Sequence, residues 1–148
     1  IKFIRNLGFS EMAMDLGACL VIADTGIHGH TREAVSKVRS LEEKALPYLH
    51  RLGNLASTIE IGLLAKDLLV VGQAMNRAHD ELNHLGVSSP EANHLVQVAK
   101  NQGALGAKMS GGGLGGCIIA LCQNQEQAES LVSALEKEGA VNTWIENL

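Results

Sequence analysis

Between Lys108 and Gly116 the sequence reads KMSGGGLGG, five glycines in six positions beside a hydroxyl and one positive charge. Consecutive residues without a Cβ let the main chain approach a ligand closely and can turn successive N–H groups toward one point, an anion nest. Phosphate handling is the chemistry that uses such a backbone. Gly111, Gly113 and Gly116 also satisfy G-x-G-x-x-G, but the dinucleotide fingerprint must follow a strand and open a helix. Here the glycines run into the apolar, strand-like CIIALC of residues 117–122. No Gly-Lys-Ser/Thr stands at the spacing of a Walker A loop. A bulged hairpin in which glycines only relieve crowding is the plain alternative. Ser110 could donate to a phosphate oxygen or tie the turn to its own backbone, and Lys108 could contact a phosphate but reads first as a solvated lysine.

The other reactive side chains are less suggestive. His28 and His30 sit in the turn-like GIHGHT with no carboxylate close in sequence, and His79 and His84 are five apart, so neither pair has the spacing of helical metal ligands. No metal site is expected. Cys19, Cys117 and Cys122 make an odd count without C-x-x-C spacing, inside or beside apolar runs. That pattern fits reduced, buried thiols of a cytoplasmic protein. No acid, base or nucleophile constellation stands out, so no catalytic residue is assigned.

These residues need elements to hold them. LGACLVIADTG, residues 16–26, reads as a buried strand closed by an Asp-Thr-Gly turn, in which Asp24 forms the turn rather than acting as a base. Thr31 is placed to cap a helix carrying Ala34, Val35, Val38, Leu41, Ala45, Leu49 and Leu52, which Pro47 is expected to kink or divide. A longer helical pattern runs from Asn54 to Leu85 and stops at Gly86. On it Asn76 and His79 share a face, which could line a cleft or meet a part of the protein outside this chain. Ser89 and Pro90 open the next helix, to about Gln102; after the glycine motif, Asn124 caps a helix ending at Gly139, and AVNTWIEN has strand character. The order predicts one α+β domain over residues 1–148, with helices on one face of a mainly antiparallel sheet.

Bulk properties narrow the choice. A net charge of −4 with no block of like charge argues against a nucleic-acid or anionic-membrane surface. The apolar stretch IEIGLLAKDLLVVGQAM is broken by Glu60, Lys66 and Asp67, short of the roughly 18 to 20 apolar residues a membrane helix needs. The start, IKFIRNLGFS, has no methionine and no signal-peptide layout, and leads us to expect a chain that begins mid-protein.

GALGAKMSGGGLGGC resembles the third motif of the GHMP kinases, the galacto-, homoserine, mevalonate and phosphomevalonate kinases. Together with LVIADTGIHGHTREAV and MNRAHDELNHLGVSSPE, in that order, it looks like the carboxy-terminal half of the bacterial mevalonate kinases within that family. Leu114 departs from the pattern where many members have glycine. The resemblance implies a ferredoxin-like α+β domain in an enzyme that passes the ATP γ-phosphoryl group to the 5-hydroxyl of mevalonate with Mg²⁺. It implies that Ser110, Gly111, Gly112 and Gly113 lie against the ATP phosphates and support a phosphate loop of the amino-terminal half, and that Thr25 lies near mevalonate. Catalytic groups are then expected in the chain's own amino-terminal domain, leaving this part inactive alone. A surface left bare by that domain could pair as a homodimer. Another GHMP kinase such as phosphomevalonate kinase, or a non-catalytic module for a small anion, are the alternatives.

Overall fold

The computed structural model describes all 148 residues. A two-stranded hairpin, β1 (Lys2–Ile4) and β2 (Gly8–Ser10), precedes the central strand β3 (Cys19–Asp24). Four helices follow, α1 (Thr31–Leu41), α2 (Leu46–Leu64), α3 (Leu68–His84) and α4 (Pro90–Asn101), with a 3₁₀ turn at Glu42–Ala45. Strands β4 (Gly106–Ser110) and β5 (Cys117–Cys122), helix α5 (Gln125–Lys137) and strand β6 (Asn142–Asn147) complete the chain. The main sheet has the order β4-β5-β3-β6 and every pairing is antiparallel. This is the ferredoxin-like arrangement expected, with the first crossover enlarged to four helices.

Alternation explains the layering, since successive strand residues face opposite ways. Val21, Ala23, Ala107, Met109, Ile118, Ala120 and Cys122 form the inner row and meet Ala92, Leu95 and Val96 of α4 and Ala128, Leu131 and Leu135 of α5. Helix starts are specified locally: Ser89 accepts from the Ala92 amide at 3.1 Å and Asn124 from the Gln127 amide at 2.9 Å. Gly86, at φ 81°, ends the α3 segment as the sequence suggested.

Two expectations change and a third is narrowed. The Asn54–Leu85 pattern is two helices, broken where Lys66 turns left-handed at φ 57° and Asp67 caps α3 by accepting from the Val70 amide at 3.2 Å. At Pro47 the pattern over residues 31–52 is divided rather than kinked: the proline stands in the first turn of α2, where the amide it lacks would have had no helical partner. Thr31 is the first helical residue of α1; His30 holds the cap position and makes no side-chain cap bond. The hairpin β1–β2, joined by the Phe3–Phe9 ring contact at 4.9 Å, had no clear sequence signal.

Helix α3 lies along the open edge of β4. An edge strand leaves every second N–H without a strand partner. Here the Ala107 amide donates to Asn76 Oδ1 at 2.9 Å and the Met109 amide to His79 Nδ1 at 3.1 Å. Asn76 and His79 therefore line no cleft; they close the sheet. The approach is possible because Gly72 faces Gly106, and a Cβ on Gly106 would collide with the Gly72 carbonyl. Since a Cβ on Gly72 would meet the Leu105 backbone, Gly72→Ala should destabilise the chain by about 1–3 kcal/mol in urea unfolding. Gly53→Ala, in open space within α2, should stabilise it by about 0.5–1 kcal/mol.

Burial holds the His79 pKa below its usual 6.5. The folded chain then binds this proton less readily than the unfolded chain, so stability rises with pH across the interval between the two values. Unfolding measured from pH 8 downward should show stability falling below about pH 6.5 and levelling once the lowered folded value is passed. His79→Gln should flatten that part of the curve.

Candidate functional site

The glycine motif is the connection between β4 and β5, and its backbone is left-handed at Gly111 (φ 95°), Gly113 (91°), Leu114 (53°) and Gly116 (74°). Its two ends are held by different parts of the fold. At the closing end, the Gly116 carbonyl accepts from the Thr25 amide at 2.9 Å and the Thr25 hydroxyl at 2.7 Å, while the Gly116 amide donates to the Ile27 carbonyl at 2.6 Å. In mid-loop the Leu114 amide donates to the Val87 carbonyl at 2.7 Å, and the Leu114 side chain packs against the main core. The departure from glycine at this position thus anchors the loop.

Close approach, rather than freedom alone, accounts for the glycines. A Cβ on Gly112 would run into the Thr31 side chain at the start of α1, and one on Gly113 would lie 3.0 Å from both Ala34 and the Val87 carbonyl. The loop is flush with the amino-terminal turn of α1. The amides of Gly111, Gly112, Gly113 and Gly115 donate to no group of the chain, and the Ser110 hydroxyl likewise bonds none. The residues named from the sequence for phosphate contact are therefore together, with donors unspent.

Beside them is an open groove of about 550 Å³ lined by Ala34, Val35, Val38, Leu82, Val87, Met109 and Gly111 to Gly113, with Arg39 and Glu42 at its charged end. Thr25 is not part of this wall. It is buried, its hydroxyl donating to Gly116 and accepting from the Ile27 amide at 3.2 Å. Asp24 does what its turn setting suggested, accepting from the Gly26 amide at 2.8 Å; it also faces His28 at 3.0 Å, and Glu33 faces His30 at 3.3 Å, so these histidines do have nearby carboxylates, contrary to the sequence reading.

Lys108 corrects the sequence reading. It is half-buried, its ammonium donates to the Met109 carbonyl at 2.7 Å, and burial lowers its pKa. Its register partner is Ile119, which places it on the sheet face opposite α4 and α5. Cys117, just past the loop, is kept protonated by burial and then by the nearby Asp24 charge, the reverse of a nucleophilic thiol. Burial likewise raises Cys122 to about 11. No three His, Cys, Asp or Glu side chains gather as a metal-holding group. The site can present backbone donors to an anion; it has no base poised to take a proton.

The family described as GHMP kinases C terminal matches residues 59–141. The mevalonate kinase of Aeropyrum pernix is 36% identical over 131 residues, covering 86% of this chain and 40% of that protein. That of Pyrococcus horikoshii is 33% identical over 131 residues, covering 82% and 38%. In structure, L. major mevalonate kinase in complex with R-mevalonate aligns at TM-score 0.78 and 32% identity, over 86% of this chain and 41% of that one. Streptococcus pneumoniae phosphomevalonate kinase in complex with phosphomevalonate and AMPPNP aligns at TM-score 0.74 but 16% identity, over 87% and 40%, a likeness of fold alone. The two curated relatives are archaeal, so the bacterial type suggested by the sequence is not upheld. The chain spans about 40% of the length of these relatives. The family match takes in α3, α4, the glycine loop and α5, and on that ground the chain belongs to the GHMP kinases, as a C-terminal domain of that family.

Proposed function

We propose that this chain is the C-terminal part of a mevalonate kinase, an enzyme that transfers the ATP γ-phosphoryl group to the 5-hydroxyl of mevalonate. The carrying observation is the row of unspent amides at Gly111, Gly112 and Gly113, the last two close against α1, beside a groove, in a chain 36% identical to a mevalonate kinase. Phosphoryl transfer depends mainly on positioning and on stabilising charge spread over phosphate oxygens, so fixed backbone donors are useful even where no residue moves a proton.

In this reading Ser110, Gly111, Gly112 and Gly113 hold ATP phosphate oxygens by N–H and O–H donation. Thr25 acts near mevalonate through the loop it ties down. Mg²⁺ belongs to the reaction, but no cluster of this chain fits it, and its ligands are the phosphates and groups of the amino-terminal domain. That domain, which also supplies the catalytic acid–base groups, is the chain's first partner. A homodimer through exposed apolar surface and a cytoplasmic setting complete the proposal.

An ATP-coupled assay tests it on this chain and on the longer protein that carries it. The isolated chain should be inactive, and the longer form should phosphorylate mevalonate in preference to phosphomevalonate. Robust turnover by the isolated chain would contradict the division of labour; no turnover by the longer form, or preference for phosphomevalonate, would contradict the substrate. In the longer form Gly112→Ala, which forces the loop away from Thr31, should raise KM for ATP about 10-fold. Gly111→Ala meets no neighbouring atom and should do less, since only its left-handed backbone is strained.

A further inference from the structure

One imidazole is bonded to one support of the glycine loop and linked through two side chains to the other. His79 Nδ1 accepts from the Met109 amide at 3.1 Å, and Met109 is the last residue of β4 but one before the loop begins. Because a backbone amide can only donate, Nδ1 must be unprotonated and the proton of the neutral ring resides on Nε2. That N–H donates to Asn93 Oδ1 at 2.9 Å. The same oxygen accepts from the Ser88 hydroxyl at 2.7 Å, and the Asn93 amide group donates to Asn83 Oδ1 at 3.0 Å. Ser88 follows Val87, whose carbonyl receives the Leu114 amide.

The bonds therefore run in two directions from one ring. Nδ1 fixes the strand that enters the loop. Nε2, through Asn93 and Ser88, fixes the turn on which the middle of the loop rests. Closing a sheet edge needs only the first of these. A valine, leucine or methionine could fill the volume but could make neither bond, and an acceptor-only side chain could not make the second.

We propose that His79 is a positioning residue for the glycine loop, setting the spacing between the Ser110 end and the Leu114 anchor so that the Gly111 to Gly113 amides are aimed together. His79 touches no substrate. The consequence for catalysis rests on the kinase reading above; the consequence for loop order does not, and the two are separable by experiment.

Amide hydrogen exchange on this chain reads loop order directly. His79→Phe should speed exchange at Met109, Leu114 and Gly116 by about 10-fold or more while amides shared by β3 and β6 keep their rates. His79→Gln, which can accept through Oε1 and donate through Nε2, should restore most of the protection. Asn93→Ala, which leaves the imidazole in place, should speed Leu114 and spare Met109. Unchanged exchange at Leu114 in both His79→Phe and Asn93→Ala, or an equal rise throughout the sheet, would overturn the inference. In the longer protein, His79→Phe should raise KM for ATP about 10-fold with a smaller change in kcat, and His79→Gln should return it to within about twofold. An active His79→Phe enzyme with unchanged KM for ATP would also overturn it. If the longer wild-type protein turns over no ATP, the kinase reading fails while the exchange result still decides the role of His79.

Discussion

The outward amides of β4 are the constraint on which the site depends. An edge strand needs partners for its N–H groups, and leaving one buried and unpaired costs about 1–3 kcal/mol. The chain meets this need with side chains from a helix instead of a further strand, and the solution dictates much else. Asn76 and His79 must stand one turn apart on α3, and Gly72 and Gly106 must lack side chains so that the helix can reach the strand. The end of α3 must then fall where Gly86 turns the chain into Val87. That turn carries the carbonyl to which the loop is tied.

The glycine loop inherits this rigidity. Its conformation is set by contacts on three sides: the β4 and β5 strands, the Thr25–Ile27 turn, and the α1 start with the Val87 turn. Donors fixed in this way need little reorganisation when negative charge arrives, which is the property that electrostatic stabilisation of phosphoryl transfer requires. The neighbouring reactive side chains are engaged or held neutral. The thiol nearest the loop is held protonated, Asp24 is engaged in its turn, and no metal-holding cluster is present. A site built of backbone amides and the Ser110 hydroxyl fits the proposed role of one wall of a cleft whose other wall brings the reacting groups.

Much of the fold was legible because it is specified locally. The β3 and β5 strands are continuous apolar runs, and Ser89, Asn124 and Gly86 mark helix ends by side-chain and backbone chemistry that operates within four residues. The loop was legible for a similar reason, since few folds tolerate five glycines in six positions without a close approach. Non-local pairings were not. That Asn76 and His79 cap β4 depends on residues about thirty positions away, and nothing in helical periodicity separates an edge-capping face from a cleft-lining one. Lys108 misled because a lone lysine is usually solvated, whereas here its alternating position turns it onto the partly covered sheet face beside Ile119. The break at Lys66–Asp67 was hidden by apolar residues that keep helical spacing on both sides, although Asp67 three residues before Val70 is a cap signal in hindsight.

The central claim is that the amides of Gly111 to Gly113 meet ATP phosphates. Amide exchange of the longer protein, compared with and without a non-hydrolysable ATP analogue and mevalonate, tests it most directly. Ligand-dependent protection is expected at Gly111, Gly112 and Gly113, with little change at Leu114 and Gly116, whose amides are already bonded within the fold. Ligand binding that protects other segments and leaves these three glycines unchanged would contradict it.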